Sequence, residues 1–124
     1  MSQKISITAG PAQIEAELND TDTARAITGA LPINASANTW GDEIYFGIAV
    51  NVELEDPQEV VDLGDLGYWP PGHAFCIFFG RTPASQGDEI RPASAVTVIG
   101  KVSGDPAVFK QVSPGTPISI RVIT

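Results

Sequence analysis

Only one cysteine, Cys76, and one histidine, His73, occur in the chain, and no lysine or arginine lies between Arg25 and Arg81. A single thiol excludes an internal disulfide and agrees with a reducing compartment. Two His/Cys side chains fall short of the three or four ligands of a zinc site. Asp62 and Asp65 could offer oxygen ligands, but they match no loop of the EF-hand kind. No GxGxxG or P-loop pattern is present either, so neither a metal nor a cofactor is expected. The absence of any apolar run of about 20 residues excludes a membrane-spanning helix. The start, MSQKISITAG, lacks the apolar stretch of a signal peptide, and the expected location is cytoplasmic. The sequons Asn19-Asp20-Thr21 and Asn34-Ala35-Ser36 then carry no meaning.

The gap in positive charge holds eight acids: Asp42, Glu43, Glu53, Glu55, Asp56, Glu59, Asp62 and Asp65. The seven other acids are balanced by all seven basic residues, so the net charge of −8 comes from this middle segment. Nucleic acid is excluded as an expected partner, because binding it rests on neutralising phosphates with Lys and Arg. Adjacent acids occur at Asp42-Glu43, Glu55-Asp56 and Asp88-Glu89. Neighbours on a strand face opposite ways, so none of these pairs reads as an acid/base dyad.

What is present is alternation. In KISITAGPAQIEAEL, Ile5 and Ile7, then Ile14, Ala16 and Leu18, alternate with polar residues around Gly10-Pro11; this predicts a hairpin with one buried face. Segment 20–31 predicts the one helix, capped by Asp20 or Thr21, with Ala24, Ile27 and Leu31 on one stripe and Pro32 as its stop. Strands follow at INASANT and EIYFGIAV, where Ile44, Phe46, Ile48 and Val50 oppose Glu43, Tyr45, Gly47 and Ala49. Val60, Val61, Leu63 and Leu66 read as anchors of the acidic stretch. HAFCIFF is apolar on both faces, Phe75, Ile77 and Phe79 against Ala74, Cys76 and Phe78, which predicts a strand covered on both sides. Ala95–Val102 and PISIRVIT read as further strands, the last with Ile118, Ile120 and Val122 inward, and DPAVFKQV as a helical turn. A chain of 124 residues with this pattern is an all-β single domain over 1–124, a closed barrel or a sandwich.

Eight of the nine aromatic residues, all but Phe109, fall between Trp40 and Phe79. Trp and Tyr combine an apolar body with a polar handle, which suits a groove with one wet side. Trp40 precedes Gly-Asp and Trp69 precedes Pro-Pro, at strand ends where binding residues tend to lie. The candidate groove residues are Trp40, Tyr45, Tyr68, Trp69 and Phe78, with His73 and Arg91 as polar contacts. Cys76 reads as a small buried hydrophobe and His73 as a turn residue.

The stretches TWGDEIYFGI, LGDLGYWPPGHAFCIFFGRTPAS and DEIRPASAVTVIGKV resemble the prokaryotic family of small cyclophilin-like proteins, over nearly the whole chain. The resemblance implies a closed eight-stranded β-barrel with one short helix near residues 21–31. Cyclophilins proper are peptidyl-prolyl isomerases, in which an Phe-His-Arg motif supplies an arginine to the proline carbonyl. Here the corresponding region, Thr39 to Ile48, has Asp42 and Glu43 and no arginine, and AFCIFF lacks the glutamine of the Gln-Phe-Phe strand. The expected function is therefore binding of a peptide or small molecule in an aromatic groove. The alternative is a peptidyl-prolyl isomerase that draws a cation from Arg81 or Arg91.

Overall fold

The computed structural model describes residues 2–123. β1 (Gln3–Ala9) and β2 (Ala12–Leu18) form the hairpin, paired without a slip from Gln3↔Leu18 to Ala9↔Ala12. Its turn places Gly10 at φ 58°, a conformation that costs glycine little and other residues more. Period-2 alternation carries Ile5, Ile7, Ile14, Ala16 and Leu18 to the buried face.

α1 (Asp22–Gly29) is shorter than the sequence pattern predicts, because Ala30 already leaves the helix as its C-cap. Thr21 is the N-cap, its hydroxyl oxygen accepting from the Ala24 N–H at 3.1 Å. A second acceptor comes from far along the chain: Glu55 takes the Thr23 N–H at 3.1 Å and the Thr23 hydroxyl at 2.9 Å. These bonds hold the Glu55 carboxyl below its ordinary range. One acid of the acidic middle thus clamps the helix start.

The remaining strands are β3 (Ile33–Ser36), β4 (Asn38–Thr39), β5 (Glu43–Gly47), β6 (Asp65–Trp69), β7 (Ala74–Phe78), β8 (Thr97–Val102) and β9 (Pro117–Val122). Short 3-10 helices at Pro70–Gly72 and Pro106–Gln111 fill two of the connections. The strands pair antiparallel in the order β3-β9-β1-β2-β8-β6-β7-β5-β4. The first and last of these, β3 and β4, are separated in the chain by Ala37 alone, so the covalent chain joins the two ends of the sheet. Among the described residues the result is a nearly closed barrel of nine strands and one short helix, all-β as expected. The eight strands of the expectation become nine because the INASANT run breaks at Ala37. That residue is buried and tied to the 115–116 turn by the Ala37 N–H to Thr116 C=O and Gly115 N–H to Ala37 C=O bonds.

Two apolar layers result. Inside the barrel lie Ile5, Ile7, Leu18, Ile44, Phe46, Leu66, Tyr68, Phe75, Ile77 and Ile99, with Phe46 and Phe75 stacked at a centroid distance of 5.4 Å. Outside it, Ala74, Cys76 and Phe78 of β7 pack with Val61, Ile90 and Val96. Every residue of β7 is buried, so its double cover is real. The outer cover is a fold-back of two loops, pinned by the isolated bridges Gln58↔Val96 and Val61↔Ile90. Gly67, opposite Cys76 on β6, makes room for this layer, since a Cβ there would lie 3.1 Å from the Phe78 ring.

Three expectations fail. Val60 and Leu63 are exposed at 43% and 55%, because only Val61, bonded to the Ile90 carbonyl, is drawn onto the outer layer. Val122 is also exposed, since β3 pairs with β9 no further than Ile120 and leaves the last residues of β9 bare on that side. Among the described residues no helix is long and apolar enough to cross a membrane.

Candidate ligand-binding pocket

The outer layer is not covered to its end. β5 pairs with β7 in the register Glu43↔Phe78, Tyr45↔Cys76, Gly47↔Ala74, and β7 with β6 through Gly67↔Cys76 and Trp69↔Ala74. Glu43, Tyr45 and Trp69 therefore share the outer face with Cys76 and Phe78. The 92–96 loop rises over one edge of this face, and Trp40 closes another. Between them lies a cavity of about 240 Å³ lined by Trp40, Glu43, Tyr45, Trp69, Pro92, Ala93 and Val96.

The aromatic walls are held in place. Trp40 sits at the β4–β5 turn, its N–H bonded to the Glu43 carbonyl at 2.9 Å. The turn depends on Gly41, at φ 61°, where a Cβ would come within 2.9 Å of the Arg81 carbonyl oxygen. The Trp69 indole donates to the Ser94 hydroxyl at 2.6 Å, tying the wall on β6 to the covering loop. Trp40, Tyr45 and Trp69 are each half-buried, with one side packed and the other on the cavity.

Glu43 gives the pocket its chemistry. The residue is 6% exposed, and its Oε1 is buried with no hydrogen-bond partner among the described residues. Burial pushes its carboxyl up from 4.5 to about 7, against a smaller downward pull from the neighbouring Cys76 thiol. Cys76 is itself pushed well above its ordinary value, first by burial and then by the Glu43 charge. It is a buried structural thiol rather than a nucleophile. Carboxyls so placed in a cleft, titrating near neutrality, mark candidate functional sites.

Of the residues singled out in the sequence, Trp40, Tyr45 and Trp69 come together here, and four lie elsewhere. Tyr68 points into the barrel, where its buried hydroxyl donates to the Val50 carbonyl at 2.6 Å and accepts from the Val52 N–H at 3.4 Å. Phe78 is fully buried beneath the outer layer. His73 is an exposed cap of the Pro70–Gly72 turn at φ 46°, bonded through its backbone to Pro70 and Ile48. Arg91 faces Glu89, Nε to Oε2 at 3.2 Å, and lines a neighbouring depression with Glu59 and Ser94. Glu89 also accepts the Gln86 and Gly87 N–H groups, which together with Arg91 hold its carboxyl down to about 2. The residue that sequence reasoning missed is Glu43. Its signal was its parity with Tyr45, which puts it opposite a strand face that is itself apolar. Among the described residues no group of three or more His, Cys, Asp and Glu side chains is placed to hold a metal.

The chain is similar to the hypothetical protein AF2241 of Archaeoglobus fulgidus, known from its solution structure. The two are 44% identical over 98% of this chain and 95% of that one, with a TM-score of 0.83. No curated protein matches. The model of the cyclophilin-like family matches residues 3–121. By that match over almost its whole length, the chain belongs to the cyclophilin-like family.

Proposed function

We propose that the protein is a ligand-binding domain whose site is the outer-face pocket of Trp40, Tyr45, Trp69 and Glu43. The convergence of three half-buried aromatic side chains, two from the β4–β5 turn and β5 and one from β6, on one cavity carries this reading. Binding sites are concave, mostly apolar and set with a few polar groups, and this pocket has that make-up. Its volume of about 240 Å³ lies below the ~300–1,000 Å³ of drug-sized pockets, so it suits one side chain or a small head group. No arginine is among the residues lining it, and this favours binding over prolyl isomerisation, where a cation at the carbonyl would be wanted.

Amide and indole ¹H–¹⁵N spectra recorded with small apolar and amphiphilic probes, and with Ala-X-Pro peptides, test the reading. The expected result is a shift of the Trp40 and Trp69 indole signals, with no cis–trans exchange peaks induced in the peptides. Exchange peaks at catalytic protein concentration would instead reinstate the isomerase. Probe-induced shifts confined to another face would discard the pocket.

A further inference from the structure

We infer that the pocket takes a cation, specifically an alkylated ammonium group, held between the faces of Trp40, Tyr45 and Trp69 and the carboxylate of Glu43. This rests on the ligand-binding reading above and adds the chemistry of the ligand to it.

Three observations converge. Aromatic faces attract cations within about 6 Å of the ring centroid, and trimethylammonium and methyl-lysine groups are bound by cages of this kind. The three aromatic residues here line one small cavity together with Pro92, Ala93 and Val96, none of which offers a side-chain donor. Second, Glu43 lines this cavity, and its Oε1 is buried with no hydrogen-bond partner among the described residues. A buried carboxylate without a partner is costly, and the charge of an incoming cation offsets it where an anion or a neutral apolar group does not. Third, the 26–80 segment that supplies Trp40, Glu43, Tyr45 and Trp69 contains eight acids and no lysine or arginine, so the surrounding field favours cations. Alkylation of the nitrogen suits the walls: methyl groups bury against apolar surface, and an alkylated ammonium gives up less hydration than a bare one.

Affinity follows the ionisation of Glu43. Its carboxyl, raised to about 7 by burial, is only partly ionised at neutral pH, so binding strengthens as pH rises through that value and, near it, releases a proton to solvent. The Cys76 thiol on β7 is pushed well above its usual range, and Tyr45 is the other ionisable residue lining the cavity. Arg91 in the covering loop is engaged with Glu89. Asp42, next in the turn, has its carboxyl against Gly80, and Asp65 on β6 is paired with Lys101 at 3.4 Å.

The test compares choline with its neutral isostere 3,3-dimethylbutan-1-ol, by titration calorimetry and indole NMR at pH 6 and pH 8.5. A short peptide carrying trimethyl-lysine forms a third arm. The expected result is that choline binds at least about tenfold tighter than the alcohol at pH 8.5, a preference that shrinks at pH 6 and that in Glu43→Gln is small and the same at both pH values. The probe-free spectrum of the variant, unchanged away from the pocket, shows that it is folded. The third arm identifies the source: tighter binding of the peptide than of choline assigns a protein side chain, the reverse a free small molecule. Equal binding of choline and the alcohol at both pH values overturns the cation assignment while leaving the pocket a binding site. Failure of every probe to move the Trp40 and Trp69 signals overturns both.

Discussion

Replacing Glu43 by glutamine should stabilise the protein at alkaline pH, by an amount that follows from the buried carboxyl. In the folded chain this group gives up its proton at about 7, against an ordinary 4.5. Between these values the folded state holds a proton that the unfolded state has released, so stability falls as pH rises from 4.5 to 7 and levels off above. At about 1.4 kcal/mol per pH unit, the interval between 4.5 and about 7 amounts to a loss of about 3 kcal/mol. Glu43→Gln removes that loss because its amide never ionises. Urea denaturation of both proteins at pH 5 and pH 8 measures it. The variant should gain on the wild type by about 2.5 kcal/mol on passing from pH 5, where a little of the loss has already set in, to pH 8. Glu89, with its carboxyl held down to about 2, acts in a separate window: its contribution is lost only as pH falls from 4.5 toward 2. Wild type and variant running parallel from pH 4.5 to 8 would refute the burial argument.

Tyr68→Phe removes a buried hydroxyl that donates to the Val50 carbonyl and accepts from the Val52 N–H. It should cost about 1–3 kcal/mol in urea denaturation while ligand affinity at the outer pocket stays unchanged; a loss of affinity without a loss of stability would contradict its inward placement. Gly41→Ala forces a side chain into a left-handed turn and toward the Arg81 carbonyl. It should cost on the order of 1–3 kcal/mol and displace the Trp40 indole signal, and a spectrum identical to the wild type would contradict the turn geometry. Cys76 is 1% exposed with its thiol pushed well above the ordinary range. It should react with an aromatic disulfide reagent only at the rate of unfolding, and fast labelling in native buffer would show the outer layer to be open.

Much of this fold is legible in the sequence because burial is written in parity. Ile5, Ile7, Ile14, Ala16 and Leu18 alternate with polar residues, and the structure buries all five. HAFCIFF breaks the alternation, and both faces of its strand are covered. The same rule, applied to neighbours, separates Tyr68 from Trp69: consecutive residues on a strand cannot line one face, and Tyr68 goes inward while Trp69 lines the pocket. Other parts depend on distant pairing. Glu43 reads as a solvated acid at a strand start until β5 is set beside the apolar outer face of β7. Pro92, Ala93 and Val96 reach the pocket because bridges from residues 58 and 61 fold the loop back, and no local pattern announces such a fold-back. Val122 follows the alternation perfectly and is exposed even so, since the covering strand ends first.

Crystals of the protein soaked separately in phenol, isopropanol and tetramethylammonium chloride would test the central claim most directly, by showing where small probes gather. The account predicts that the three share one locus, among Trp40, Tyr45 and Trp69, with tetramethylammonium drawn against Glu43. Probes gathering on another face of the barrel, with the Trp40–Trp69 cavity empty, would contradict it.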